Sequence, residues 1–227
     1  MNQFFRFPHT PHIVWLGNQN PRDDKILSLE ENKELLSGSV SVEEKLDGAN
    51  LGISLDSNGD IQIQNRGQYL VKPFDGQFSR LNAWIMQHQN ALSTLIGEQL
   101  ILFGEWCAAQ HSLDYKSLPD WFIAFDVYDK INKKFWSVSQ RNELAKELNL
   151  FTPTTLFHGA ATIQKLLNII NSPSEYRNGN MEGIIIRKDS TQWNEFRAKI
   201  VRPDFTQSID THWSKKHLAW NKMNTNY

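Results

Sequence analysis

The 227-residue chain reads as a single α+β domain, on three observations. Apolar residues alternate with polar ones over short segments bounded by turn residues. Longer segments between them carry apolar residues at helical spacing. No repeat, low-complexity tract or linker divides the chain. Composition agrees, with 40% hydrophobic and 22% charged residues, the balance of a chain that buries a core. A formal net charge of -1 excludes a generic polyanion binder, so any nucleic-acid contact has to be local. One cysteine, Cys107, excludes an internal disulfide and fits a reducing compartment. No apolar run approaches the roughly 18 residues of a membrane span, and the start of the chain lacks a basic-then-apolar signal pattern. A cytoplasmic protein without a membrane partner is expected.

Residues 1–19 carry two Pro/His phrases and little periodicity, which predicts an extended arm. Asn20-Pro21-Arg22-Asp23-Asp24 is a turn signal, and a short polar helix is expected over 28–36. Val40-Ser41-Val42-Glu43 alternates as a strand and runs into Lys45-Leu46-Asp47-Gly48. Leu51, Ile53 and Leu55, the turn Asp56-Ser57-Asn58-Gly59-Asp60, then Ile61 and Ile63 predict a hairpin that delivers Arg66 at its return end. Leu81, Trp84, Ile85, Leu92 and Leu95 predict a helix over 79–96, with His88 at the stripe's edge and a local hydrogen bond expected for it rather than a ligand. Strands are expected over 100–106 and 121–128 and a charged turn over 129–134. Helices are expected over 137–148, opened by Ser137 with Gln140 three residues on, and over 161–170, before Pro173. Two antiparallel strands over 182–188 and 195–201 complete the domain.

Several residues in these strands need partners. Arg197 and Lys199 share one strand face while Phe196, Ala198 and Ile200 line the other; the pair is either an exposed basic face, salt-bridged to Glu195, or a seat for a phosphate. Glu182 and Glu105 sit in apolar strands beside Gly183 and Gly104. Each is either a strand-end carboxylate reaching solvent or a buried group needing a cation, and the glycines allow close approach of a ligand or a backbone. Phe125 is either core or a ring that stacks on a purine, and Asp126 beside it also requires a partner. Lys45 itself lies in a tetrapeptide common enough to be a solvated turn.

Taken in order, Lys45-Leu46-Asp47-Gly48, Phe103-Gly104-Glu105-Trp106, Phe122 to Tyr128, Glu182-Gly183-Ile184-Ile185-Ile186 and Arg197-Ala198-Lys199 resemble motifs I, III, IIIa, IV and V of the covalent nucleotidyltransferases, the superfamily of polynucleotide ligases and mRNA capping enzymes. Within it the chain looks most like ATP-dependent RNA ligases of the phage double-strand-RNA-ligase type. The resemblance implies antiparallel sheets forming an ATP cleft, flanking helices and no separate oligonucleotide-binding domain. Residues 1–205 would be the nucleotidyltransferase domain with its arm, and 206–227 a basic-aromatic tail, helical and packed on that domain. It implies that Lys45 attacks the α-phosphate of ATP to leave a lysyl-adenylate, that AMP passes to an RNA 5'-phosphate, and that a 3'-hydroxyl then seals the strand.

By the same resemblance Lys45, Glu182 and Lys199 are catalytic, Asn50 and Glu105 hold the ribose, and Phe125 stacks on adenine. Arg66, Arg197 and Lys199 hold phosphate, Glu44 belongs to the nucleotide site, and Glu182 with Glu105 holds magnesium or manganese. Nearby cations, Lys199, Arg197 and Arg66, are expected to disfavour the charged form of Lys45. Expected partners are RNA ends or a nicked duplex, ATP and a separate end-healing enzyme, acting in RNA repair with the chain as a monomer. The first motif carries Asp47, as DNA ligases do, and the fifth opens with Arg197 in place of the usual lysine. A DNA ligase, another polynucleotide adenylyltransferase, or a non-catalytic RNA-end or nucleotide-binding module are the alternatives. His212, Trp213, Lys215, Lys216, His217 and Trp220 either grip nucleic acid or belong to a helix packed on the body.

Overall fold

Each sheet of this protein keeps one face for helices and turns the other toward its partner sheet. The computed structural model describes residues 4–18, 21, 24–207 and 218–224. The first sheet has the order β7 (Thr155–Ala160), β1 (Ser39–Lys45), β8 (Gly183–Asp189) and β9 (Asn194–Val201). The second has the order β3 (Ile61–Gln64), β2 (Ala49–Leu55), β4 (Leu100–Trp106), β5 (Phe122–Asp129) and β6 (Lys134–Phe135). All neighbours pair antiparallel.

Strand alternation assigns the faces. Val40, Val42, Ile184, Ile186, Ala198 and Ile200 are buried against helices α1 (Leu29–Leu35) and α4 (Ile163–Ile169), so Glu43, Lys45, Arg187, Arg197 and Lys199 point the other way. In the second sheet Leu51, Ile53, Leu102 and Val127 pack on α2 (Leu81–Leu95) and α3 (Val138–Glu147). That leaves Asn50 and Glu105 on the inner face. The Leu46-Asp47-Gly48 connection carries the chain from β1 in one sheet to β2 in the other, so Lys45 ends its strand where the sheets meet.

Local chemistry fixes the ends. Ser28 caps α1 through a reciprocal capping box with Glu31, and Ser137 caps α3 by accepting from the Gln140 amide. Asp56 closes the β2–β3 turn by accepting from the amides of Asn58 and Asp60. His88 stacks on Trp84 at 4.3 Å and lies 3.7 Å from Asp120, a local packing role in place of the hydrogen bond expected of it, since Trp84 is the residue that donates to Asp120. Two strands escape the sequence signals. β7 is a half-exposed edge, and the two residues of β6 fall at the end of the segment expected to be a charged turn. Gly104 and Gly183 are needed for packing: an added methyl would lie 2.3 Å from the Phe122 ring or from the Ile200 carbonyl oxygen, respectively. The close approach is therefore by chain, not ligand. A short helix, α5 (Pro203–Gln207), follows β9. No helix among the described residues is long and apolar enough to cross a membrane.

Candidate active site

The Lys45 amine lies 2.7 Å from the Glu182 carboxylate, inside a cleft of about 740 Å³ lined also by Asp47, Asn50, Arg66 and Glu105. Burial alone would lower the pKa of Lys45, but Glu182 and Glu105 outweigh it and hold the amine above its ordinary value. The sequence expectation that neighbouring cations depress it does not hold, because Lys199 and Arg197 are each engaged by a carboxylate. Burial pushes Glu182 up to about 8 and Glu105 up to about 7, only partly offset by Lys45. The two carboxylates share a single close cation, Lys45, which does not fully offset their burial. Among the described residues no group of three or more Asp, Glu, His or Cys side chains could hold a metal by itself. Glu182 and Glu105 instead fit a hard cation that takes one or two carboxylates and completes its shell with phosphate oxygens and water.

Asn50 faces Glu105 across the β2–β4 ladder, and its buried Oδ1 has no hydrogen-bond partner. Glu105 accepts from the Gly48 amide at 3.0 Å. Arg66 is exposed at the end of the β3 hairpin and lines both the large cleft and an adjoining cavity of about 90 Å³. Phe125 also lines that cavity, edge-on to Phe7 at 5.3 Å. It sits at a register shift: Phe103 pairs with Asp126 and Gly104 with Ala124, leaving Phe125 as the extra residue. Its free carbonyl accepts from Arg141 at 2.8 Å and from Arg187 at 3.2 Å. Arg141 also grips Glu43, two residues before Lys45.

Asp126 finds two partners, Arg187 and Arg197, both in the opposite sheet. Arg197 further lies over the rings of Phe7 and Phe135, at 4.7 and 4.1 Å. It forms a wall of the smaller cavity, its charge matched by protein. Lys199 lines neither cavity, since its amine is held by Asp24. The anion that separates these two cations is thus two different aspartates, and neither is Glu195. Glu44 lines the smaller cavity, but its carboxylate accepts from the Ser174 hydroxyl at 2.5 Å and the Glu175 amide at 2.9 Å. The Asp47 carboxylate likewise caps the Ser112 and Leu113 amides at 2.7 and 2.8 Å, a structural task. Asp24, Glu43 and Arg141 carried no signal in the sequence, because each matters only through a partner far along the chain.

The sequence profile of the RNA ligase family matches residues 38–201. The chain belongs to the RNA ligase family. That span holds every motif from Lys45 to Lys199, while the arm that bears His9, His12 and Asp24 precedes it. No curated protein matches the chain. Among solved structures, a Naegleria gruberi RNA ligase with PPi is 20% identical with a TM-score of 0.65, over 80% of this chain and 54% of that one. A mutant of that ligase with ATP and Mn is 18% identical with a TM-score of 0.63, over 81% and 55%. At these identities the likeness shows the RNA ligase fold, and this chain spans just over half the length of those relatives. Of the tail residues proposed to touch nucleic acid, 212–217 lie outside the described residues. Trp220 packs beneath the Arg80 guanidinium at 4.2 Å.

Proposed function

We propose that the chain is an ATP-dependent RNA ligase that joins a 3'-hydroxyl to a 5'-phosphate through an adenylate on Lys45. The observation that carries this reading is the half-buried Lys45–Glu182 pair at the crossing between two sheets, within the span matched by the RNA ligase family. In the first step the Lys45 Nζ lone pair forms a bond to the α-phosphorus of ATP and the bond to pyrophosphate breaks; the amine's proton must leave first. The orphaned Asn50 Oδ1 suits a ribose hydroxyl donor, and Phe125 on its bulge suits an adenine face. Glu182 and Glu105 would hold a divalent cation, which supplies charge stabilisation for the phosphates. AMP then passes from Lys45 to the RNA 5'-phosphate, and attack by the 3'-hydroxyl expels it. Likeness to ligases solved with ATP, AMP, PPi and Mn supports the choice of nucleotide and metal.

RNA ends or a nicked duplex are the substrate, on the resemblance of the motif set to phage double-strand RNA ligases, and the enzyme would work after an end-healing partner. Asp47 does not argue for DNA, since its carboxylate is engaged by backbone amides. The test is incubation with magnesium and α-labelled ATP, which should leave a covalent label that Lys45→Ala abolishes. No label with ATP, GTP or NAD would refute the enzyme reading, and equal sealing of an all-DNA nick would overturn the RNA assignment.

A further inference from the structure

The arm that precedes the RNA ligase match is laid against β9. Residues 11–13 extend the first sheet beyond β9: Ile13 donates to the Lys199 carbonyl at 3.0 Å and the Lys199 amide donates to Pro11 at 2.9 Å. Residues 25–27 pair with His12 in turn. These backbone bonds bring three side chains to the Lys199 amine. Asp24 accepts from that amine; His9 Nδ1 lies 2.7 Å from the same carboxylate, and His12 Nε2 lies 3.7 Å from it.

Two features set this cluster apart from an ordinary ion pair. The Asp126 pairs that join the sheets are sealed from water, whereas the Asp24 side chain is 25% exposed, so it can be replaced without opening the core. His12 is 3% exposed and its Nδ1 has no partner, a buried polar atom left unsatisfied in a ring that feels the charges of Lys199 and Lys45. The groups facing it are Lys199, Lys45, Asp24 and the edge-on Trp15 ring at 4.9 Å. Burial and Lys199 lower its pKa to about 4, so it is neutral beside Asp24 at neutral pH and would regain a proton only beside more negative charge. Asp24 already supplies one anion; the cluster has donors for more.

We propose that His9, His12 and Lys199 form a seat for a polyphosphate, the outgoing pyrophosphate of the adenylation step, and that Asp24 occupies this seat as a displaceable internal anion. The assignment rests on the ligase reading for the identity of its ligand. Lys199 cannot reach a phosphate while Asp24 holds it, so nucleotide entry and release of Asp24 are one event. Removing the Asp24 charge should then tighten polyphosphate binding, where a purely structural role would leave it unchanged or weaken it.

The experiment is calorimetric titration of the full chain with inorganic pyrophosphate, in parallel with covalent labelling by α-labelled ATP. Asp24→Asn should bind pyrophosphate about 5- to 10-fold more tightly, the gain expected from about 1 kcal/mol of competition removed. His9→Gln, at a side chain 43% exposed and so without folding risk, should weaken it several-fold, as should His12→Gln if that variant folds by circular dichroism. Labelling of the wild type with unchanged or weaker pyrophosphate binding in Asp24→Asn, or unchanged binding in His9→Gln, overturns the seat. Failure of wild-type labelling while the three variants still move pyrophosphate affinity as stated overturns the ligase reading and leaves the seat standing.

Discussion

Asp126→Asn removes the carboxylate that two arginines of the opposite sheet share. Asp126 bridges the sheets by accepting from both Arg187 and Arg197, and the Asp126 and Arg187 side chains are each 2% exposed. Arg197 keeps its Phe7 and Phe135 rings when the charge is removed, and Arg187 keeps only the Phe125 carbonyl at 3.2 Å, with its Nε already unpartnered. Arg187 is therefore left as a buried cation without a paired carboxylate, offset only by the charges of Glu43 and Asp189 beyond ion-pair distance. Breaking one side of such a pair costs roughly 3–5 kcal/mol, against a total stability of about 5–15 kcal/mol for a folded domain. For a chain of this size the melting temperature should fall by about 6–20 °C. Reversible urea unfolding at neutral pH measures the loss directly, provided the slope with denaturant is unchanged. The double variant Asp126→Asn/Arg187→Met should lose less than Asp126→Asn alone, since the stranded charge is gone. A loss below about 1 kcal/mol in the single variant, or a double variant worse than the single by the full cost of Arg187→Met, would refute the claim that this bridge ties the sheets.

His12 has a folded pKa of about 4 against an ordinary 6.5, so the unfolded chain binds more protons between those values; stability is full above about 6.5 and falls, by up to about 3 kcal/mol, as pH drops through 4. Thermal melts across that window should show a slope that His12→Gln removes. Glu182→Gln should lower the Lys45 pKa in the ligand-free protein, because that carboxylate is the largest influence raising it, and an NMR titration of the lysine carbon resonances reads the change. Gly183→Ala places a methyl 2.3 Å from the Ile200 carbonyl oxygen and should cost about 1–3 kcal/mol or more in a denaturant melt. Ser28→Ala removes the cap of α1, both halves of its capping box with Glu31, and should cost about 1 kcal/mol in a denaturant melt.

The sequence by itself determined most of the elements. Alternation and turn residues placed β1, β2, β3, β4, β5, β8 and β9, and the caps at Ser28 and Ser137 opened α1 and α3, because these signals act within a few residues of one another. It also marked Glu105, Asp126, Glu182, Arg197 and Lys199 as polar residues that apolar strands would not bury unpartnered. The strands β6 and β7 went unseen because one is two residues long and the other is a half-exposed edge whose pairing depends on β1. Only the tertiary structure chose the partners. Asp24 and Lys199 lie 175 residues apart, Glu43 and Arg141 98, Asp126 and Arg197 71. A buried charge states in the sequence that it needs a counter-ion, but which one it meets is decided by the packing of the two sheets, through contacts that leave no local pattern in the chain.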